Sequence, residues 1–306
     1  MSSRLISNPQ RPTKNPVKVF ITGAKGMLGQ ELARQFSKPL TTGYQLFLTD
    51  KEELDITDKK TVREVVEKIH PDYIIHTAAY TEVDKAEDEK ALCRKINVTG
   101  TANIARAAGK IGATVIYIST DYVFDGKKNK PYKETDKANP LGIYAKTKLQ
   151  GEELIAKHCK KHYIIRAAWL FGRVKGKQNF VEKMITLSKR GPLRVIDDQI
   201  GSPTSTKDLA DTIGLLIARH SAPDTATPYG IYHLSGVGET TRYGFAKEIF
   251  RQLKIKANLT PVKTTEFFAK AERPAYSYLD KTKIGKALNV KIRPWQKMLA
   301  DYLKNR

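Results

Sequence analysis

Cysteine is nearly absent. Two thiols in 306 residues, Cys93 and Cys159, stand too far apart for the close pairing of a zinc site and are too few for the disulfide framework of a small secreted domain. A reducing compartment, the cytoplasm, is expected. Long apolar runs are missing too, since nothing approaches the roughly 18 residues of a membrane span. The polar stretch Met1–Pro16, with three prolines, lacks the hydrophobic segment of a signal peptide and reads as a loose, flexible arm over residues 1–16. Acids are scarce relative to bases, 32 against 54, for a formal net charge of +22. The lysines are scattered, without the basic run that grips nucleic acid, so neither a nucleic-acid nor a membrane partner is expected. The charge reads first as a solvated lysine-rich surface. A second reading is attraction of an anionic substrate, such as a nucleotide diphosphate, towards a cleft. No internal repeat is visible.

At 306 residues the chain exceeds the usual domain size. Short β-branched runs alternate with helical patterns from residue 17 to residue 168, the signature of βαβ units and a parallel sheet. Strands are predicted at Val17–Thr22, Tyr44–Leu48, Tyr73–His76, Thr114–Ser119 and Tyr163–Arg166. Helices are predicted near Leu28–Phe36, Thr61–Ile69, Ala91–Lys110 and Ala145–His158. Val115 to Ile118 is continuously apolar, as a strand buried on both faces requires. After residue 170 glycine and proline become frequent, at Gly191-Pro192, Gly201-Ser202-Pro203 and Pro223 to Gly230, which suggests smaller elements packed over one end of the sheet. The expected fold is therefore α/β, a Rossmann-type doubly wound parallel sheet over residues 17–170. A smaller α/β region, 171–306, would mainly bind substrate.

The first strand runs into Gly23-Ala24-Lys25-Gly26-Met27-Leu28-Gly29. Small residues there let the backbone approach a pyrophosphate, whose charge sits on the amides of the following helix N-terminus. A glycine-rich turn alone is weak evidence, because any tight strand-to-helix turn favours glycine. Asp50, at the end of the second strand, strengthens it as an acceptor for the ribose 2′-hydroxyl. Lys51 beside it would welcome a 2′-phosphate, so NADH and NADPH both remain open.

The glycine spacing is that of short-chain dehydrogenases and directs attention to Tyr144-Ala145-Lys146-Thr147-Lys148. On a helix its phenol and ammonium lie one turn apart on one face. Ketone reduction needs a proton as hydride arrives, and a phenol of pKa near 10 is a reluctant donor at neutral pH. A neighbouring cation stabilises phenolate and lowers that pKa. Strand four ends in Ser119-Thr120-Asp121-Tyr122, at the sheet edge where open α/β folds bind ligands. There Thr120 can hydrogen-bond the carbonyl oxygen and the alkoxide it becomes.

Together with Ala78 to Glu87 and Asp198 to Thr204, these segments resemble dTDP-4-dehydrorhamnose reductases, extended short-chain dehydrogenases, over roughly residues 17 to 304. The resemblance implies hydride transfer from NADPH or NADH to C4 of dTDP-4-dehydro-β-L-rhamnose. Thr120 would orient the ketone, Tyr144 would donate the proton, and Lys148 would tune Tyr144 and hold the nicotinamide ribose. It further implies that Ala78, Ala79 and Thr81 line the cofactor cleft, with Asp55 and Ile56 near the adenine. Asn97 matches an asparagine of the superfamily and has a structural reading as well. Val83, Asp121, Tyr122 and Trp169 match positions facing the sugar, and Arg273 looks like a phosphate contact. Each has an ordinary alternative: core for Val83 and Trp169, sheet packing for Tyr122, solvated charge for Arg273.

Rivals of the same fold are other nucleotide-sugar reductases or epimerases, and a non-catalytic regulatory subunit of the methionine adenosyltransferase type. Related 4,6-dehydratases usually carry Asp-Glu after the threonine, where this chain has Asp121-Tyr122. Some reductases of the family are magnesium-bridged dimers. Glu31 matches one ligand, but Lys207 stands where a second acid belongs, and an ammonium cannot ligate a hard cation. The neighbouring Asp208 points about 100° away on a helix, and Glu31 then reads as a solvated residue. No metal is expected, and the chain should be a monomer or weak homodimer.

Overall fold

β-Branched and aromatic residues alternate in direction along a strand, and here both directions lead into apolar layers. In the computed structural model, which describes residues 16–38, 43–174, 178–220 and 226–306, five strands fall where the apolar runs predict them. They are β1 (Val17–Thr22), β2 (Tyr44–Thr49), β3 (Tyr73–His76), β4 (Thr114–Thr120) and β5 (His162–Ala167). Val19, Ile21, Ile75, Ile116 and Ile165 face one layer. Phe20, Ile74, Val115, Tyr117 and Ile164 face the other. Each such side chain contributes about 1.5–3 kcal/mol when fully buried. Residues 1–15 of the expected arm lie outside the described residues.

A sixth strand, Gly230–Leu234, joins β5, and the order across the sheet is β2, β1, β3, β4, β5, Gly230–Leu234, every pairing parallel. The doubly wound sheet is thus observed, and it draws its last strand from beyond residue 171. Helices α1 (Met27–Phe36) and α7 (Thr206–His220) cover one face, while α2 (Lys59–Ile69), α4 (Thr101–Ile111) and α5 (Ile143–His158) cover the other. From β1 the chain moves outward to β2 and then returns past β1 to β3. The C-terminal ends of β1 and β3 therefore border the crevice where such sheets bind ligands.

Local chemistry sets the helix ends. The Asp58 side chain accepts the Lys60 and Thr61 N–H groups ahead of α2, and His70 ends that helix in the left-handed region at φ 50°. The helical stretch predicted over Ala91–Lys110 is not uniform: α3 (Lys90–Arg94) passes through a π-helical segment, Lys95–Gly100, before α4. In the C-terminal region α6 (Phe180–Ser188) and α8 (Arg242–Leu253) enclose a third cluster of Phe171, Val181, Met184, Phe245, Ile249 and Trp295. Glu31 corrects its sequence reading. It is largely buried and pairs with Arg34 at 2.7 Å instead of standing in solvent, because α7 packs over α1. No described helix is long and apolar enough to cross a membrane.

Candidate active site

The glycine-rich turn closes on the loop that follows β3. Gly23 has φ +70°, and a Cβ there would lie 2.7 Å from the Ala78 nitrogen. A Cβ on Gly29 would lie 2.2 Å from the Gly23 carbonyl oxygen. Main chain meets main chain at both places, which only glycine permits. Gly26 is the N-cap of α1 and no side chain caps that helix, so the amides beginning at Met27 suit an anionic pyrophosphate. Leu28 and Ile56 send their side chains into the core.

Asp50 accepts the Lys25 and Lys51 N–H groups, each at 2.8 Å, and so ties the turn to the end of β2. Its carboxylate retains lone pairs for a ribose hydroxyl. Lys51 is exposed, while Lys25 holds Glu52 and Glu53 at 2.8 Å each. Asp55 accepts the Thr57 N–H at 2.9 Å, a bond that helps hold its carboxyl below the usual range. Ala78, Ala79 and Thr81 lie on the loop after β3, the two alanines half-buried and Thr81 exposed. Asn97 fixes that loop: its side chain accepts the Tyr80 N–H at 2.8 Å and donates to the Tyr80 carbonyl at 3.2 Å. It also donates to Thr147 at 3.1 Å, between Tyr144 and Lys148 on α5. The π-helical segment thereby locks the cofactor-side loop to the helix that carries the tyrosine.

Thr120 ends β4 and is buried. Its hydroxyl accepts the Tyr122 N–H and donates to Asp121, each at 3.2 Å, and it sits beside the Tyr144 phenol. Burial pushes that phenol well above its ordinary pKa, and the neighbouring Thr120 hydroxyl offsets part of the rise. Lys148 donates to the Ile118 carbonyl at 2.6 Å and lies 4.0 Å from the Tyr117 ring centre. Burial brings its ammonium down to about 7, against the pull of Glu152. The resting site therefore differs from the expectation of a phenol already lowered by its lysine: desolvation dominates both groups. Behind them Glu152 accepts from Arg166 at 2.7 Å and also from Ser119.

The opposite wall comes largely from beyond residue 168. Asp121 is 2% exposed and accepts from Ser277 at 2.6 Å. Burial raises its carboxyl to about 6, with Ser277, Arg242 and Thr120 pulling it back. Tyr122 meets Tyr144 edge to face, with ring centres 6.4 Å apart. Trp169 has φ +46° and packs on Gly201, where a Cβ would come within 2.6 Å of the indole. The Arg242 guanidinium stacks 3.5 Å from the indole centre and donates to Tyr122 at 3.3 Å. Sequence reasoning missed Arg242, a lone arginine in a basic chain. Val83 is half-buried. Arg273 grips Asp84 with two bonds, of 3.0 and 2.6 Å, and lies close to Tyr122. Among the described residues no group of three or more histidines, cysteines or acids could hold a metal.

A parallel doubly wound sheet with a glycine cradle at its first turn, and threonine, tyrosine and lysine at its C-terminal edge, defines an extended short-chain dehydrogenase/reductase. The model of the RmlD substrate binding domain matches residues 17–306. The chain is 40% identical over 290 residues to the spore coat polysaccharide biosynthesis protein SpsK of Bacillus subtilis, spanning 94% of this chain and 98% of that one. It is 39% identical over 292 residues to a dTDP-4-dehydrorhamnose reductase of Aggregatibacter actinomycetemcomitans, spanning 93% and 97%. The structure of the Bacillus anthracis dTDP-4-dehydrorhamnose reductase in complex with NADP superposes with a TM-score of 0.88 at 39% identity, covering 95% of this chain and 100% of that one. The chain belongs to the dTDP-4-dehydrorhamnose reductase family.

Proposed function

We propose that this chain uses NADPH or NADH to reduce the C4 ketone of dTDP-4-dehydro-β-L-rhamnose to dTDP-L-rhamnose. The observation that carries the reading is the Thr120 hydroxyl beside the Tyr144 phenol at the sheet edge, in a chain of this family. The uncapped α1 N-terminus and the Gly23–Ala78 approach fit a dinucleotide, which when bound supplies the hydride. Thr120 and Tyr144 receive the ketone oxygen, and Tyr144 gives its proton to the alkoxide. Burial keeps that proton on the resting phenol. Lys148, one turn along α5, offsets the phenolate left behind and holds the nicotinamide ribose. Val83, Asp121, Tyr122 and Trp169 face the sugar, and Arg273 a phosphate. A binding-only role is not favoured, because the three reacting groups are all present. The test is oxidation of NADPH by the purified chain with the keto-sugar, and NMR of the product. A rate no higher than without the sugar would sink the reading.

We infer a monomer or weak homodimer in solution, without a bridging magnesium. Glu31 is paired with Arg34, Lys207 with Asp211 at 2.6 Å, and Asp208 with Arg293 at 3.0 Å, so each candidate acid is already neutralised. Light scattering should show no change in mass on adding EDTA. A dimer that dissociates with EDTA and reforms with magnesium contradicts this.

A further inference from the structure

Arg242 stands apart from the other arginines around the site. Arg166 and Arg273 are engaged with carboxylates, Glu152 and Asp84. Arg242 has no such partner among the described residues; Asp121 feels its charge through space. Of the five N–H donors on a guanidinium, its one hydrogen bond goes to the Tyr122 hydroxyl. Its central carbon lies 3.5 Å from the Trp169 ring centre and 5.7 Å from that of Phe180. Packing against two rings restrains the fork, so less freedom remains to be lost when it takes a ligand. Arg273 reaches the same phenol from another segment. Two guanidinium groups thus converge on Tyr122, and only one of them is neutralised by a contacting acid.

We propose that Arg242 is a specificity-determining residue whose guanidinium, held against Trp169, binds the diphosphate of the nucleotide sugar. The inference rests on the nucleotide-sugar reading given above. An unneutralised fork with spare donors matches anionic oxygens, which take two parallel bonds, better than it matches neutral sugar hydroxyls. Placed beside Asp121 and Tyr122, it fixes how far the diphosphate lies from the reacting carbon. The reaction then gains an anchor in the C-terminal region, independent of the groups that handle the proton.

The test compares the full chain with Arg242→Met and Arg242→Lys, titrating dTDP and thymidine by calorimetry and NADPH by fluorescence. Arg242→Met should weaken dTDP about 10- to 100-fold and leave thymidine and NADPH unchanged. The keto-sugar KM should rise by the same factor while kcat changes less than about threefold. Arg242→Lys should recover part of the loss, since it keeps the charge but not the fork. Should the methionine variant misfold, the salt dependence of dTDP binding to the parent and the lysine variant carries the test. A dTDP affinity within about twofold of the parent, an equal loss for thymidine, or a fall in kcat without a rise in KM overturns the proposal. A parent that fails to turn over the keto-sugar overturns the function reading alone. A parent that binds none of dTDP, UDP and GDP more tightly than the matching nucleoside overturns this inference.

Discussion

The two walls of the cleft are built on different principles. The wall formed by β4 and α5 is the drier one: Thr120 and Lys148 are buried and Tyr144 is half-buried, Lys148 is held by a carbonyl and an aromatic ring, and burial displaces the titration of both Tyr144 and Lys148. In the wall formed by Trp169, Arg242 and Arg273 the indole is buried and both arginines are half-buried, one guanidinium stacked and the other paired. Proton transfer needs groups that cannot wander and water that cannot compete. Recognition of an anion needs charge at a distance and some give. On the function proposed above, one cleft accommodates both because the sheet supplies the first wall and the later chain supplies the second.

The largest expected effect falls on the dry wall. Tyr144→Phe keeps the ring and removes the proton, so turnover should drop about 10²- to 10⁴-fold, roughly 3–5 kcal/mol of barrier, with NADPH binding nearly intact. Turnover within threefold of the parent would remove Tyr144 from the mechanism. Next comes the support behind it. Glu152 and Arg166, each 4% exposed, form a buried pair, and Glu152→Ala should destabilise the fold by about 3–5 kcal/mol. Denaturant unfolding reads this, and a loss under 1 kcal/mol would show that the dry wall does not depend on the pair.

Asp121 belongs to both walls and sharpens the contrast. Its carboxyl titrates at about 6, so above that pH it accepts from Thr120 and Ser277. Below it, a proton on the acid competes with the Thr120 hydroxyl. The kcat/KM is expected to fall up to about tenfold per unit as pH drops below 6, and Asp121→Asn should lack that limb. An unchanged acid limb in the variant assigns it to another group. The smallest effect lies outside both walls. Asp50 favours a free 2′-hydroxyl, whereas Lys51 favours a 2′-phosphate. NADPH and NADH should therefore differ in affinity by less than about tenfold, or 1.4 kcal/mol. A hundredfold gap in fluorescence titration would show that one residue dominates.

The sheet was largely legible because its signals are local. β1 and β3 have the predicted bounds, since their apolar runs stop where glycine or polar residues begin. The Tyr144–Lys148 spacing needs only a helix to bring its groups to one face. What escaped depends on distant partners. The π-helical slip at Lys95–Gly100 leaves no periodic trace, and it is fitted by Gly100 against Ile56 and Asn97 against Tyr80. Arg242 becomes informative only once Trp169 and Tyr122, from other parts of the chain, surround it. Glu31 looked solvated because nothing near it in sequence announces α7.

The late arrival of the Gly230–Leu234 strand bears on how the protein is made. β5 has β4 on one side, and its other edge stays unpaired until that strand has been synthesised, about 60 residues later and some 3–12 seconds at translation rates of 5–20 residues per second. Through that interval the nascent chain exposes a β edge and the apolar face that α7 later covers, both of which favour association with other chains. Limited proteolysis of ribosome-arrested chains should find β5 protected only once residue 234 has left the exit tunnel, so chaperone demand should peak late in synthesis.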